Sequence, residues 1–178
     1  MKIRQTTFSD MPDLLETFDY GRKLQRALGN YYQWRNGEPN QSVLEQDIRD
    51  GTSYVCVIDE HSNCDLPIGT IVATFYLLKG ENAIFKTLKD GTWLNPSPYV
   101  TIHRMCTNGK IKGASQFCMK WIIERYDNIR IYTHDTNKPM IHVIEKYGFS
   151  YCGNIYPPDG EPRNAYQYAA DNQIKEVM

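Results

Sequence analysis

A basic, glycine-containing turn that opens directly into a helix is the part of the chain best suited to chemistry. The turn and the helix start consist of Lys110, Ile111, Lys112, Gly113, Ala114 and Ser115. Backbone N–H groups at a helix start lack carbonyl partners within the helix, and with the helix dipole they attract anions. Glycine and small residues let a phosphate approach the backbone closely, and the two lysines add positive charge. The sequence therefore predicts a pyrophosphate-binding site at this turn.

This turn lies within residues 99–149, which alternate between strand and helix patterns. A strand pattern, YVTIHRMC, precedes the turn, and a helix pattern, QFCMKWIIERYD, follows it. A second strand and helix then read NIRIYTH and DTNKPMIHVIEKYGF. No GxxxxGK[ST] or GxGxxG motif is present, so neither a P-loop nor a Rossmann fingerprint is predicted. The anion site must therefore belong to another strand–turn–helix arrangement.

Periodicity and turn residues predict the remaining elements. A first strand is predicted at residues 2–8, and a helix then follows Ser9 and Asp10 and ends at Gly29 and Asn30, with Gly21 as a point of interruption. A short helix is predicted at 43–49, and strands at 53–58, 68–77, 151–156 and 164–169. Residues 79–98 form a long connection, which in compact domains is often functional. One domain is predicted over 1–170, followed by a fraying polar tail at 171–178.

Composition indicates an ordinary globular protein. The 178 residues are 41% hydrophobic and 23% charged, which is enough for one well-formed core. A net charge of −1 predicts no general attraction to nucleic acid or to an anionic membrane. No apolar run reaches the length of a membrane span and the N-terminus has no apolar signal core, so a cytoplasmic protein is expected. Five scattered cysteines form no disulfide or zinc pattern, and reduced thiols without a metal are expected.

The chain resembles the GCN5-related N-acetyltransferase (GNAT) family. The acyl-CoA loop of that family has the form [Q/R]-x-x-G-x-[G/A], which KIKGAS matches with Lys110 for Gln/Arg and Ser115 for the last Gly/Ala. An Asn at the start of the next helix and a Gly-Phe at its end match Asn137 and Gly148-Phe149. Segments such as DGTWLNPSPYVTIHRM and IRIYTHDTNKPM look like those of a small bacterial subgroup. The resemblance covers residues 1–168.

The resemblance implies a fold and a reaction. The fold would be a mixed α/β domain with a central, mostly antiparallel sheet of about seven strands and about four flanking helices. The reaction would move acetyl from acetyl-CoA to a primary amine by direct attack in a ternary complex, without a metal. Residues 110–115 would hold the pyrophosphate and Asn137 the pantetheine region. Met105, Cys106 and Thr107 would lie along the cofactor arm, and the Cys106 backbone N–H would donate to the thioester oxygen.

The sequence offers one candidate general base, and it lacks the tyrosine that many family members use as general acid. His103 precedes Met105 by two residues, so in a regular strand it lies on the same face and could act as general base. Alternatively, His103 is a buried, hydrogen-bonded histidine that orients Arg104 or a loop. Many family members carry a Tyr that protonates the leaving thiolate four residues before the Gly of the Gly-Phe pair. Ile144 occupies that position, and Tyr147 is predicted to pack.

The acceptor and the partners are less defined. Trp34, Trp93 and Tyr99 are candidates for the acceptor side, although aromatic residues also pack in cores. A small-molecule or peptide amine is expected, and a homodimer is one expectation because family members often pair. Acyl-CoA binding without turnover, as a sensor or interaction module, is the alternative function. A Cys106–His103 nucleophile, a metal site at His134, Asp135 and His142, and nucleic-acid binding are all weaker interpretations.

Overall fold

Seven strands and four α-helices make up the part of the chain that the structure describes. The computed structural model describes residues 1–158 and 160–170, and the predicted tail at 171–178 lies outside them. The elements are β1 (Lys2–Gln5), α1 (Met11–Ala27), α2 (Gln41–Arg49), β2 (Ser53–Val57), β3 (Ile71–Lys79), β4 (Val100–Thr107), α3 (Ala114–Ile123), β5 (Asn128–Thr133), α4 (Lys138–Lys146), β6 (Ser150–Ile155) and β7 (Arg163–Ala169). Short 3-10 helices occupy Phe8–Asp10, Arg35–Gly37 and Ala83–Thr87. None of the described helices has both the length and the apolar character needed to cross a membrane.

The strands form a mixed sheet in the order β1-β2-β3-β4-β5-β7-β6. β4 and β5 run parallel, with Val100 opposite Ile129. The pairs β1–β2, β2–β3, β5–β7 and β6–β7 are antiparallel. The predicted central, mostly antiparallel sheet of about seven strands flanked by helices is therefore confirmed.

The first helix shows why Gly21 does not interrupt it. α1 has Pro12 in its first turn and ends before Gly29, whose φ of 81° suits a helix C-terminus. Gly21 stays inside α1, and a Cβ there would collide with Cys106 Sγ and lie 2.8 Å from the Trp34 ring. The glycine therefore permits close packing, and the predicted helix interruption was wrong.

The chain divides into two compact units. The first contains Met1–Leu77 and Arg104–Trp121. Its core joins the inner face of α1 and residues of α2 to strands β2, β3 and β4. The buried side chains of that core are Met11, Leu14, Phe18, Leu44, Val55, Val57, Ile71 and Cys106.

The second unit contains Leu78–His103 and the residues from Ile122 onward. The predicted long connection between β3 and β4 belongs to this unit, where an amide network holds it. Asn128 Nδ2 donates to Asn95 Oδ1 at 2.9 Å, and Gln167 Nε2 donates to Asn128 Oδ1 at 2.6 Å. The Leu94 backbone N–H donates to Gln167 Oε1 at 2.8 Å. Because Gln167 is fully buried and Asn128 is buried, these bonds hold residues 94 and 95 firmly against the strands.

Candidate functional site

A buried asparagine anchors the basic turn after β4. Asn108 Nδ2 donates to the Ile71 carbonyl at 2.7 Å, and the Asn108 backbone N–H donates to the Val72 carbonyl at 3.3 Å. Its side-chain oxygen accepts from the Lys110 backbone N–H at 3.2 Å. Asn108 thus uses its amide to fix the turn to β3, a role that the sequence pattern alone did not reveal.

Gly113 makes the connection from this turn to α3. Its φ is 84°, a left-handed conformation that favours glycine, and a Cβ at this position would meet no atom within 4 Å. The Phe117 backbone N–H donates to the Gly113 carbonyl at 2.9 Å, so the first helical hydrogen bond starts at this residue. Ala114 is buried beneath the helix start, whereas Gly113 is exposed. The backbone at Gly113 is therefore open to an approaching ligand.

Two lysines give this turn its positive charge. Lys110 and Lys112 are both exposed. Lys110 Nζ lies 3.7 Å from Glu16 Oε1, a long contact between exposed side chains that leaves most of the lysine charge available. With the N-terminus of the ten-residue helix α3, the lysines form a site that can hold an anion such as a pyrophosphate.

β4 departs from the extended backbone conformation at Arg104. This residue has a φ of 48°, which is strained for a residue with a side chain. Its guanidinium forms an ion pair with Asp47 at 2.6 Å and lies over the Tyr76 ring at 4.5 Å. Burial raises the pKa of Asp47, and the nearby Arg104 charge partly offsets that effect. The regular alternation assumed in placing His103 on the face of Met105 is therefore interrupted at Arg104.

Residues 105–107 lie at the end of β4 in the first unit. Met105 and Cys106 are buried and Thr107 is partly exposed. The Cys106 thiol donates to the Thr17 carbonyl at 3.3 Å, and burial raises its pKa to about 12. A thiol in this state is a poor nucleophile, because reactivity needs the thiolate. The Cys106 side chain is therefore unsuited to nucleophilic catalysis.

His103 contacts an aromatic ring in the second unit. Its imidazole lies edge-on to Tyr132, with ring centroids 4.4 Å apart and an interplanar angle of 82°. The side chain is only partly buried. Its Nε2 atom is buried, so the exposed part of the imidazole does not include that nitrogen.

Asn137 begins α4 in the second unit. The side chain is buried, and its Nδ2 donates to Thr133 Oγ1 at 2.9 Å. This bond ties the start of the helix to the end of β5. Ile144, at the position of the family tyrosine, is fully buried. Tyr147 lies at the C-terminal cap of α4.

The three aromatic residues predicted on the acceptor side each have an identified packing contact. Trp34 packs edge-on against Phe18 in the first unit, with centroids 5.3 Å apart. In the second unit, the Arg130 guanidinium lies over two aromatic rings. Its central carbon is 4.1 Å from the Trp93 ring centroid and 3.9 Å from the Tyr99 ring centroid. Arg130 was not a predicted site residue, although the alternation of NIRIYT places it opposite the apolar face of β5.

A metal centre finds no support in the described residues. Within residues 1–158 and 160–170, no group of three or more His, Cys, Asp or Glu side chains is arranged to hold a metal ion. His134 is buried, whereas His142 is exposed on α4.

Comparison with solved structures finds acetyltransferase folds. A GNAT-family acetyltransferase from Streptococcus agalactiae has a TM-score of 0.82 and 26% sequence identity, with 94% of each chain covered. One from Listeria monocytogenes has a TM-score of 0.61 and 19% identity, with 93% of this chain and 92% of that chain covered. A Salmonella typhimurium protein solved with its cofactor acetyl-CoA has a TM-score of 0.60 and 12% identity, with 96% and 94% covered. No family model and no curated protein matches the sequence.

Proposed function

Because the chain belongs to the GNAT family by its fold, we propose that it transfers an acetyl group from acetyl-CoA to a primary amine. The acceptor is a small-molecule or peptide amine, which attacks directly within a ternary complex. The observation that carries this proposal is the open backbone at Gly113, at the start of α3 and beside two exposed lysines. An anion as large as a pyrophosphate needs this combination of an open backbone and positive charge.

The residues of the turn fit the charged part of acetyl-CoA. The backbone N–H groups of Ala114 and Ser115 belong to the first turn of α3, where no helical carbonyl accepts them. Lys110 and Lys112 supply positive charge, and Asn108 holds the turn in place. The pyrophosphate would be held mainly by the backbone, so the side chain of Ser115 matters less than the glycine before it.

The chemistry needs one hydrogen-bond donor and one proton acceptor from the chain. Acetyl-CoA supplies the acetyl group as a thioester, which an amine converts to an amide and a CoA thiol. The Cys106 backbone N–H donates to the thioester oxygen and stabilises the developing negative charge. His103 accepts the proton that the amine loses. Water protonates the leaving thiolate, because a thiolate is only weakly basic and Ile144 offers no acidic group.

Acyl-CoA binding without turnover is a second candidate, and one observation favours it. Ile144 is apolar and fully buried where many family members have a tyrosine acid. A protein of this kind would bind acetyl-CoA at the same turn and act as a sensor or interaction module.

Two measurements separate these functions. Calorimetry with acetyl-CoA tests the turn, and release of free thiol across a panel of primary amines tests turnover. Binding with thiol release on at least one amine supports the enzyme. Binding without thiol release on any amine supports the sensor, and absence of binding contradicts both.

A further inference from the structure

A cleft of about 650 Å³ lies beneath the β3–β4 connection in the second unit. Phe85, Trp93 and Tyr99 provide apolar walls, and Glu81 and Lys86 lie among its lining residues. Arg130 also lines the cleft. The volume is in the range of small-ligand sites, which combine aromatic walls with few polar groups.

Arg130 is a buried cation without an acidic partner. The residue is only 6% exposed, because its guanidinium lies between Trp93 and Tyr99. Its Nη2 donates to the Asn95 carbonyl at 3.1 Å, and its buried Nε makes no hydrogen bond. Among residues 1–158 and 160–170, no carboxylate lies within ion-pair distance of this guanidinium. A buried charge of this kind is costly unless something compensates it.

The acidic residue of the cleft is already paired with a lysine. Glu81 accepts from Lys86 Nζ at 2.9 Å, and this pair is exposed. The Glu81 carboxylate therefore acts on Arg130 only as a longer-range charge and not as an ion-pair partner. With Glu81, Lys86 and Arg130 counted together, the lining of the cleft carries one net positive charge.

The cleft is held in shape before any ligand binds. The Tyr99 hydroxyl accepts from the Asn82 backbone N–H at 3.1 Å, and Trp93 Nε1 donates to the Phe85 carbonyl at 3.2 Å. Asn95, whose carbonyl accepts from Arg130, is itself held by Asn128. A guanidinium fixed in this way loses little conformational entropy when it binds an anion.

One face of β5 carries both Arg130, which lines this cleft, and Tyr132, which contacts His103. Tyr132 follows Arg130 by two residues, so both side chains lie on one face of the strand. The Tyr132 ring is 5.9 Å from Phe85 in the cleft and 4.4 Å from His103. Arg130 and Tyr132 are therefore one step of roughly 7 Å apart along the strand face, and His103 contacts the Tyr132 ring.

We infer that the Arg130 cleft binds a carboxylate of the acetyl acceptor, so that the acceptor is a small molecule with both an amine and a carboxylate, such as a free amino acid. The inference rests on the proposed function, because it assigns the acceptor class of that reaction. The planar guanidinium offers a donor set that matches a carboxylate. Because Tyr132 follows Arg130 on the strand face and contacts His103, the carboxylate would be held at Arg130 while the amine of the same molecule lies at the imidazole.

The test compares each acid with its neutral amide. A panel of free amino acids and their primary amides is assayed by thiol release from acetyl-CoA in a carboxylate-free buffer. We expect at least one acid to exceed its amide by tenfold or more in kcat/KM, mainly through KM. Arg130→Gln is expected to remove that preference, and Arg130→Lys to restore part of it. Arg49→Gln, which changes an exposed arginine of α2, is the control and should keep the preference.

Calorimetry makes the result independent of turnover. The same acids and amides are titrated into the protein saturated with CoA, and melting temperatures confirm that each variant is folded. Acid-selective binding that Arg130→Gln abolishes supports the inference even without acetyl transfer. Equal binding of acids and amides, binding of neither, or a preference that survives Arg130→Gln would overturn it. Failure of the proposed function is recognised separately, by the absence of acetyl-CoA binding.

Discussion

Arg104 Nη2 lies 2.6 Å from Asp47 Oδ2, and this ion pair joins α2 to the point where β4 adopts a left-handed backbone conformation. The pair is largely withdrawn from water, with side-chain exposures of 24% and 11%. It fixes a strained residue in the strand that also carries His103, Met105 and Cys106. Strained backbone persists only where its surroundings determine it strongly, and Asp47 is part of those surroundings.

A double-mutant cycle on Asp47 and Arg104 should reveal strong coupling. Arg104→Gln should lower the free energy of unfolding by about 3 kcal/mol, because it leaves the Asp47 carboxylate buried without its partner. The double variant with Asp47→Asn should recover roughly 1–2 kcal/mol relative to the sum of the single effects. Urea unfolding measures all four proteins. The exposed pair Arg49–Glu45 is the control, with an expected coupling of about 0.5 kcal/mol or less, and equal coupling in both pairs would contradict this account.

Asp10 should make the stability depend on pH in the acid range. The Arg4 guanidinium and the Thr7 backbone N–H lower the pKa of Asp10 to about 2. Since the folded-state pKa lies below the unfolded value, the stabilisation is complete above about pH 4 and is lost as pH falls through about 2. Asp10→Asn should therefore lower the free energy of unfolding by about 1–2 kcal/mol at pH 7 and by much less at pH 2.

Chemical denaturation at several pH values measures that difference. Asp65→Asn changes an exposed loop carboxylate and is expected to shift stability by less than about 0.5 kcal/mol at any pH. If the Asp10 variant lost as much stability at pH 2 as at pH 7, the ion pair with Arg4 would not be the cause.

Thiol reactivity should distinguish Cys106 from Cys64. Burial raises the pKa of Cys106 to about 12, whereas Cys64 is partly exposed. Iodoacetamide at pH 8 should therefore modify Cys64 in the native protein and reach Cys106 only after denaturation. Peptide mapping by mass spectrometry measures both. Alkylation of native Cys106 at the rate of Cys64 would reopen the nucleophile interpretation.

His103→Gln should lower kcat by roughly 100-fold on an acceptor found by thiol release, because general-base catalysis contributes about that much or more. His61→Gln is the matched control, since the His61 side chain is 83% exposed and lies on a loop. Near-normal turnover of a folded His103 variant would leave the histidine with only a packing role against Tyr132.

The segments that sequence predicted best are those with local signals. The basic turn, Gly113 and the start of α3 follow from residue types at adjacent positions, and the structure places the helix start at Ala114. The predicted strand at 68–77 begins later, at Ile71, because Gly69 has a φ of 90° and Ile68 is exposed in a turn. Local patterns identify an element more securely than its ends.

Features that depend on distant contacts could not be predicted in this way. The left-handed conformation of Arg104 is held by Asp47, which is 57 residues away in the chain, and a strand pattern contains no sign of it. Gly21 suggested a helix break because glycine has a low helix propensity, and only the tertiary structure shows that it makes room for Cys106 and Trp34. Arg130 is enclosed by Trp93, which lies in the β3–β4 connection, and by Tyr99, at the end of that connection. The sequence did not reveal the course of that connection.

Acetyl-CoA binding by calorimetry, with Gly113→Glu and Gly69→Glu compared in parallel, tests the central claim most directly. Both glycines have a left-handed φ and open space around a Cβ, so the two substitutions impose similar backbone strain. We expect the unmodified protein and Gly69→Glu to bind acetyl-CoA, and Gly113→Glu to lose at least 100-fold in affinity through the added bulk and the repulsion of a pyrophosphate. No binding by the unmodified protein, or equal binding by both variants, would contradict the assignment of the Gly113 turn as the acetyl-CoA site.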